Sequence, residues 1–324
     1  MTTQTNITVL DHIMALNLDV SIWTARKKLT PSDFGGAELP PEELASLGSK
    51  KICSPQELRI FGTLKARAVS LLDRTGVRFL GGWGIPEDKA DGIVDELTAI
   101  HNDFMAAKTQ FLSRYDDTVR DWISQHPGWE CLIGNSTVSA DYVRSRISFK
   151  WQIFKLISPT DNVVSQGLQK EIIELGGTLF DEVAKTATNT WKRCFEGKDK
   201  VTHKALSPLR SIHDKLAGLS FIEPRVLPIA DLLQTALDKI PARGHIQGSE
   251  LLMLQGVVSL LRDPATLIEH GQKVIDGQDA SGILNGLLVD STPSVSVEKT
   301  VNVPDSGYAP EPVAKHQIDS HGLW

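Results

Sequence analysis

Apolar residues recur at helical spacing along most of the chain and alternate at strand spacing in only a few places. Leu58, Phe61, Leu64, Ala68 and Leu71 stand three or four apart, after a Ser54-Pro55-Gln56-Glu57 opening in which Ser54 can cap and Glu57 can reach back. Gly76 is placed to end that helix. A longer stripe of Ile93, Leu97, Ile100, Phe104, Phe111, Tyr115, Val119 and Trp122 runs unbroken between Pro86 and Pro127, which predicts a rod of about 60 Å at the α-helical rise. Val143, Ile147 and Phe154 predict a further helix over 138–154. Asp161 then caps a second rod, with Leu168, Ile172, Leu175, Leu179, Val183, Trp191 and Cys194 on one side.

Both rods share an unusual step. Ile93, Phe104 and Tyr115 follow one another at eleven residues, as do Ile100, Phe111 and Trp122, and as do Ile172, Val183 and Cys194. An eleven-residue repeat keeps an apolar seam straight or slightly right-handed, so the two rods are expected to pack side by side as a stalk. Gly176-Gly177 marks a kink or a close helix contact within the second. Shorter amphipathic segments follow at 206–219, 226–240 and 250–262, with a continuation over 264–275, punctuated by Pro224, Pro241, Gly244 and Pro264.

Extended structure is expected only near the start. Leu18, Val20 and Ile22 alternate with Asp19 and Ser21, predicting a short strand, and residues 77–85 read as an extended piece that turns at Gly81-Gly82. Residues 31–52 are rich in Pro, Gly and Ser and are expected to cross the surface as a loop. Beyond Leu288 the composition shifts to Ser, Thr, Pro and Val, which predicts a disordered tail. Val295, Val297, Val301 and Val303 share one parity there, as either a strand that adds to a partner's sheet edge or a plain tether. The expected fold is mainly α: an elongated helical bundle with two long straight helices forming a stalk, short N-terminal β-strands and a disordered C-terminal tail. Its divisions are an N-terminal strand, loop and helix region over 1–85, a helical stalk and bundle over 86–277, and a flexible tail over 278–324.

Composition narrows the function classes. The 324 residues carry 34 Lys and Arg against 40 Asp and Glu, a net charge of −6, which argues against coating nucleic acid by charge alone. A hydrophobic fraction of 41% supplies a core and argues against wholesale disorder. Cys53, Cys131 and Cys194 are odd in number and widely spaced, so they read as reduced thiols. The first residues lack a charged leader, and no uncharged apolar run reaches membrane-spanning length, so a cytoplasmic protein without membrane contact is expected.

No motif points to a reaction. A phosphate-wrapping G-x-x-x-x-G-K-[ST] is missing, Gly81-Gly82-Trp83-Gly84 departs from the dinucleotide fingerprint, and no G-x-S-x-G or H-E-x-x-H occurs. No catalytic residue, metal site or cofactor is therefore expected. His126 before Pro127 suits a helix C-terminus, and His101 a half-buried place beside an apolar stripe. Two basic groups remain, Arg26-Lys27-Lys28 and Lys50-Lys51, which either converge into one patch for an acidic partner or nucleic-acid backbone or stand as separate loop ends. A nucleic-acid role requires all five cations to share one face. Arg144 and Arg146 beside Phe149-Lys150-Trp151-Gln152 mix cations with aromatics as single-strand binders do, unless the aromatics face the core.

The segments Leu18-Asp19-Val20-Ser21-Ile22-Trp23-Thr24-Ala25-Arg26-Lys27-Lys28-Leu29, Leu47-Gly48-Ser49-Lys50-Lys51 and Arg78-Phe79-Leu80-Gly81-Gly82-Trp83-Gly84-Ile85-Pro86 resemble the bacterial family called domain of unknown function 3150. The likeness continues through Phe111-Leu112-Ser113-Arg114-Tyr115-Asp116, His126-Pro127-Gly128-Trp129 and Phe149-Lys150-Trp151-Gln152. The resemblance implies company rather than chemistry: such proteins are encoded on phages, plasmids and conjugative elements beside a MoxR-like AAA+ ATPase and a von Willebrand A-type domain protein. It implies the helical third component of an ATPase-driven remodelling or chelatase-like system, and the leading expectation is a non-enzymatic helical adaptor with Trp23, Arg26, Lys27, Lys28, Lys50, Lys51, Arg78, Gly81 and Gly82 as its partner-binding residues. A subunit of a cobaltochelatase-like metal-insertion complex and a nucleic-acid accessory protein of a mobile element are the alternatives. The apolar stripes also allow a homo-oligomer.

Overall fold

The computed structural model of the chain describes residues 9–35, 45–157 and 162–289. It opens with strand β1 (Ile13–Ser21) and a two-stranded ribbon, β2 (Arg26–Lys28) and β3 (Ser49–Lys51). Helix α1 (Arg59–Thr75), the hairpin β4 (Val77–Phe79) and β5 (Gly82–Pro86), and helices α2 (Ala90–Ser113), α3 (Tyr115–Ser124), α4 (Glu130–Gly134) and α5 (Ala140–Arg146) follow. Strand β6 (Ser148–Lys155) leads into α6 (Asn162–Thr190). The remainder is α7 (Leu206–Gly218), α8 (Val226–Asp238), α9 (Gly248–Leu261), α10 (Pro264–Ile275) and α11 (Ala280–Val289), with a short strand pair, β7 (Lys200–Val201) and β8 (Ile246–Gln247).

An antiparallel sheet of order β4-β5-β1-β6 organises these helices. Residues opposite one another in such a sheet share a face. The pairs Leu16 with Trp83, Leu18 with Trp151 and Val20 with Phe149 therefore look the same way. That face meets a core in which Phe61, Leu64 and Leu72 of α1 and Ile93, Leu97, Ile100 and Phe104 of α2 are buried. Ile13, Val77 and Phe79, of the opposite parity, join a second core with Leu179 and Phe180 of α6, Leu216 of α7, Val226 of α8 and Leu254 of α9. The sheet thus stands between two helical layers, and each core draws on residues from both sides of position 85.

This arrangement overturns the elongated bundle with a two-helix stalk. The first rod breaks at Arg114, whose backbone leaves the helical region at φ −112° and ψ 7°, so that α2 and α3 are separate helices. The two long stripes also face different layers: Ile93, Ile100, Phe104 and Phe111 lie in the first core, whereas Ile172, Leu175, Leu179 and Val183 lie in the second. Their common repeat reflects burial of each against its own neighbours rather than a shared seam. The strands are not a minor N-terminal feature either, since β1 has nine residues and is central to the sheet.

The helix expected over 138–154 divides into α5 and β6. Phe149, Trp151 and Ile153 alternate inward, and Ser148 to Lys155 pair with Ser21 to Met14 of β1. Helix α11 extends order into the stretch expected as tail from 278, because Ile283 and Leu284 are buried in the second core. Val295, Val297, Val301 and Val303 lie outside the described residues.

The cysteines occupy contrasting environments. Cys53 is fully buried, and burial, with the Glu57 carboxylate nearby, raises its thiol to about 11, whereas Cys131 is exposed. Since the thiolate is the nucleophile, iodoacetamide at neutral pH is expected to label Cys131 in the native protein and to reach Cys53 only after unfolding. Peptide mass spectrometry over a labelling time course checks this; native labelling of Cys53 at the rate of Cys131 would contradict the burial.

Candidate interaction surfaces

The β2–β3 ribbon brings together the two basic groups that are separate in the sequence. Ala25, buried and at φ 53°, turns the chain outward after β1, and Ile52 N donates to Ala25 O at 3.0 Å to close the ribbon's base. The register sets Arg26 opposite Lys51, Lys27 opposite Lys50 and Lys28 opposite Ser49. By strand alternation Arg26, Lys28 and Lys51 point to one face and Lys27 and Lys50 to the other. The requirement that all five cations share one face is therefore not met, because adjacent residues in a strand must diverge. On the second face the Lys50 ammonium pairs with Asp33 and holds its carboxyl below the ordinary range, with help from the Thr30 N–H and hydroxyl.

The ribbon is braced by the helical layer. Trp122 Nε1 donates to Lys51 O at 3.2 Å, and the Trp122 ring lies 4.2 Å from that of His126. His126 Nδ1 is 2.8 Å from Trp122 O, the helix-terminal position its place before Pro127 suggests. Trp129 N donates to His126 O at 3.1 Å, and Trp129 is 60% exposed.

Four other residues expected at a partner surface have structural surroundings. Trp23 is buried, edge-on to Tyr115 and tilted against Phe111. Leu80 and Gly81 both have positive φ and form the two-residue turn between β4 and β5, a conformation that favours glycine at Gly81. Gly82 passes so close to β1 that a Cβ there would lie 2.2 Å from Leu16 O. The Arg78 guanidinium stacks 4.0 Å from the Trp83 ring and bonds Asp73 Oδ1 at 2.8 Å, which also accepts from Trp83 Nε1 at 2.8 Å.

Arg78 also belongs to a junction that ties the layers together. Its N–H donates to Glu182 Oε1 at 2.9 Å, and the other oxygen of that carboxylate accepts from Lys215 Nζ at 2.6 Å. Lys215, a buried cation, donates again to Asp73 O at 2.7 Å, a carbonyl in the last turn of α1. A single ammonium thereby links α1, α6 and α7. The signal in the sequence is Lys215 itself, which falls on the stripe of Leu209, Ile212, Leu216 and Leu219, where an amphipathic helix otherwise keeps apolar residues.

With the architecture in view, the relatives can be placed. The family model described as protein of unknown function (DUF3150) matches residues 10–263, which run from just before β1 to just beyond α9. The chain belongs to that family. No curated protein and no solved structure matches it. The DUF3150 match spans the ribbon, the whole sheet and most of both cores.

The two edges of the DUF3150 sheet differ. The β4 edge is covered by α6, where Glu182 accepts the Arg78 N–H. The β6 edge, eight residues long, has no strand beside it among the described residues. On the sheet face away from the first core it leaves Lys150, Gln152 and Phe154 exposed beside Asn17 and Asp19 of β1, and Ile157 just beyond the strand is 86% exposed. Among the described residues no group of three or more His, Cys, Asp or Glu side chains is placed to hold a metal ion, and no single helix is long and apolar enough to cross a membrane.

Proposed function

We propose that this protein is a non-enzymatic adaptor that receives a partner strand along β6, acting with a MoxR-like AAA+ ATPase and a von Willebrand A-type domain protein. The β6 edge, which has no strand beside it among the described residues, carries the reading. Unpaired backbone donors and acceptors along an edge strand are a template for another chain, and folded proteins usually cover, shorten or charge such edges. Here one edge is capped by Glu182 while the longer one presents Phe154 and Ile157 to solvent. In strand addition the backbone bonds supply affinity and alternate side chains supply specificity. The choice of partners comes from the company that the family resemblance implies.

The test is affinity capture from the native host with an N-terminally tagged chain, with and without ATP, comparing wild type with the Phe154→Asp/Ile157→Asp variant. The wild type is expected to retain an AAA+ ATPase and an A-type-domain protein. Like-charged residues at the strand's end are expected to lower that recovery at least about tenfold, the scale of losing one well-placed apolar contact at an interface, with the thermal midpoint unchanged because both side chains are exposed. Equal recovery by the two chains would remove β6 from the interaction, and recovery of neither partner would remove the adaptor reading.

A further inference from the structure

Two clefts adjoin where α1, α6 and α7 meet. The first, about 450 Å³, has the apolar side chains Val69, Val183, Pro208 and Ile212 in its walls, with Lys215 of the buried junction among its lining residues. The second, about 650 Å³, is polar: Arg74, Lys89 and Arg210 line it together with Thr75, Ser207 and Ser211. Arg74, Pro208 and Ser211 belong to both, so the two clefts make one groove with an apolar half and a cationic half. Each has the size of an ordinary small-molecule site, roughly 300 to 1,000 Å³.

The local structure positions these cations. Lys89 passes over α7 at Gly218, where a Cβ would lie 2.5 Å from the Lys89 Nζ, and that ammonium donates to Asp214 O at 3.1 Å. One such bond leaves an ammonium two further donors. Arg74 reaches Glu96 only at 3.9 Å, with both side chains more than half exposed, so that pair holds the guanidinium weakly. The Asp73 carboxylate, beside the first cleft, already accepts from Arg78 and from Trp83 Nε1. Among the described residues lining the second cleft the only carboxylate is Asp214, 3.1 Å from His213 Nδ1, so three cations leave an excess of two positive charges there. A phosphate monoester carries nearly two negative charges at neutral pH and a carboxylate one, so the phosphate is the better match. Guanidinium forks and hydroxyls also suit its oxygens. We propose that this groove binds a small organic phosphate, its oxygens on Arg74, Lys89 and Arg210 and its apolar or aromatic body against Val69, Pro208 and Ile212. The site uses no residue of β6 and goes beyond the adaptor reading.

Equilibrium dialysis of the full chain against 1-naphthyl phosphate, 1-naphthol and inorganic phosphate tests this. The naphthyl phosphate is expected to bind at least about tenfold more tightly than either fragment, because only it fills both halves of the groove. Arg74→Gln/Arg210→Gln is expected to lose at least about tenfold in affinity for it, with an unchanged thermal midpoint, since both side chains are exposed. Ala66→Phe, at an exposed position lining the apolar cleft, is expected to bring the affinity down toward that of inorganic phosphate while leaving the latter's binding intact. Gly218→Ala changes no charge but displaces the Lys89 ammonium, so binding is expected to weaken; the fold is expected to hold, because the methyl meets only the end of a flexible side chain. Arg67→Gln, also on α1 but outside both clefts and paired with Asp103, is expected to bind as wild type does. Absence of saturable naphthyl phosphate binding at low salt, or equal binding by all these chains, would overturn the proposal. Naphthol binding as tightly as its phosphate would reduce the groove to an apolar patch, and inorganic phosphate binding as tightly would remove the apolar half; either result overturns it.

Discussion

Replacing Lys215 with methionine is expected to destabilise the fold by about 2 kcal/mol, below the scale for breaking a fully buried ion pair because Glu182 keeps some contact with solvent. The reasons are local. Methionine keeps most of the side-chain volume, so packing in the second core is little disturbed, but it withdraws both donated bonds. Glu182 is left with the Arg78 N–H as its partner inside a junction to which solvent has little access, and the Asp73 carbonyl at the end of α1 loses its donor. A half-buried carboxylate stripped of its cation keeps a desolvation cost that the pair had offset. Neutralising both ends should therefore recover much of the loss, and Lys215→Met/Glu182→Leu is expected to be more stable than Lys215→Met alone. Urea unfolding of the two variants against wild type reads both effects. If the double variant falls below the single one, Glu182 is stabilised by something other than Lys215.

Gly82→Ala is expected to be more damaging still, at about 3 kcal/mol or more, for a steric rather than an electrostatic reason. The added methyl would lie 2.2 Å from the Leu16 carbonyl oxygen, and since the obstacle is backbone the only relief is to part β5 from β1 at the centre of the sheet. Gly81→Ala, one residue earlier, meets open space and carries only the strain of a positive φ, about 1 kcal/mol. The two neighbouring substitutions should separate clearly in thermal denaturation, with Gly82→Ala far below Gly81→Ala. Equal midpoints would mean that the sheet yields at this point. Both glycines stand in the stretch that carries the family resemblance, and the structure gives each a structural reason to be glycine.

Much of the helical layer was legible locally. The stripe of Phe61, Leu64, Ala68 and Leu71, ended at Gly76, became α1, and the segments predicted over 206–219, 226–240, 250–262 and 264–275 correspond to α7, α8, α9 and α10, because a helix satisfies its backbone bonds within a few residues and shows its buried face as a short period. Residues 138–154 show where that logic stops. Val143, Ile147 and Phe154 fit a helical stripe and Phe149, Trp151 and Ile153 fit a strand. Only β1, more than a hundred residues earlier, decides between them by offering backbone partners to the second pattern.

The candidate surfaces divide in the same way. Sequence alone determined the period of each apolar stripe, the turn at Gly81, the two basic clusters and the lack of recognised catalytic motifs. Tertiary structure decided which layer each stripe faces, which sheet edge has no strand beside it among the described residues, that Arg26 stands opposite Lys51, and that Lys215 is buried on Glu182. The physical reason is range. Helix periodicity and turn chemistry are properties of neighbouring residues, whereas strand pairing, like-charge juxtaposition and the burial of an ion depend on segments that meet only once the chain has closed long loops.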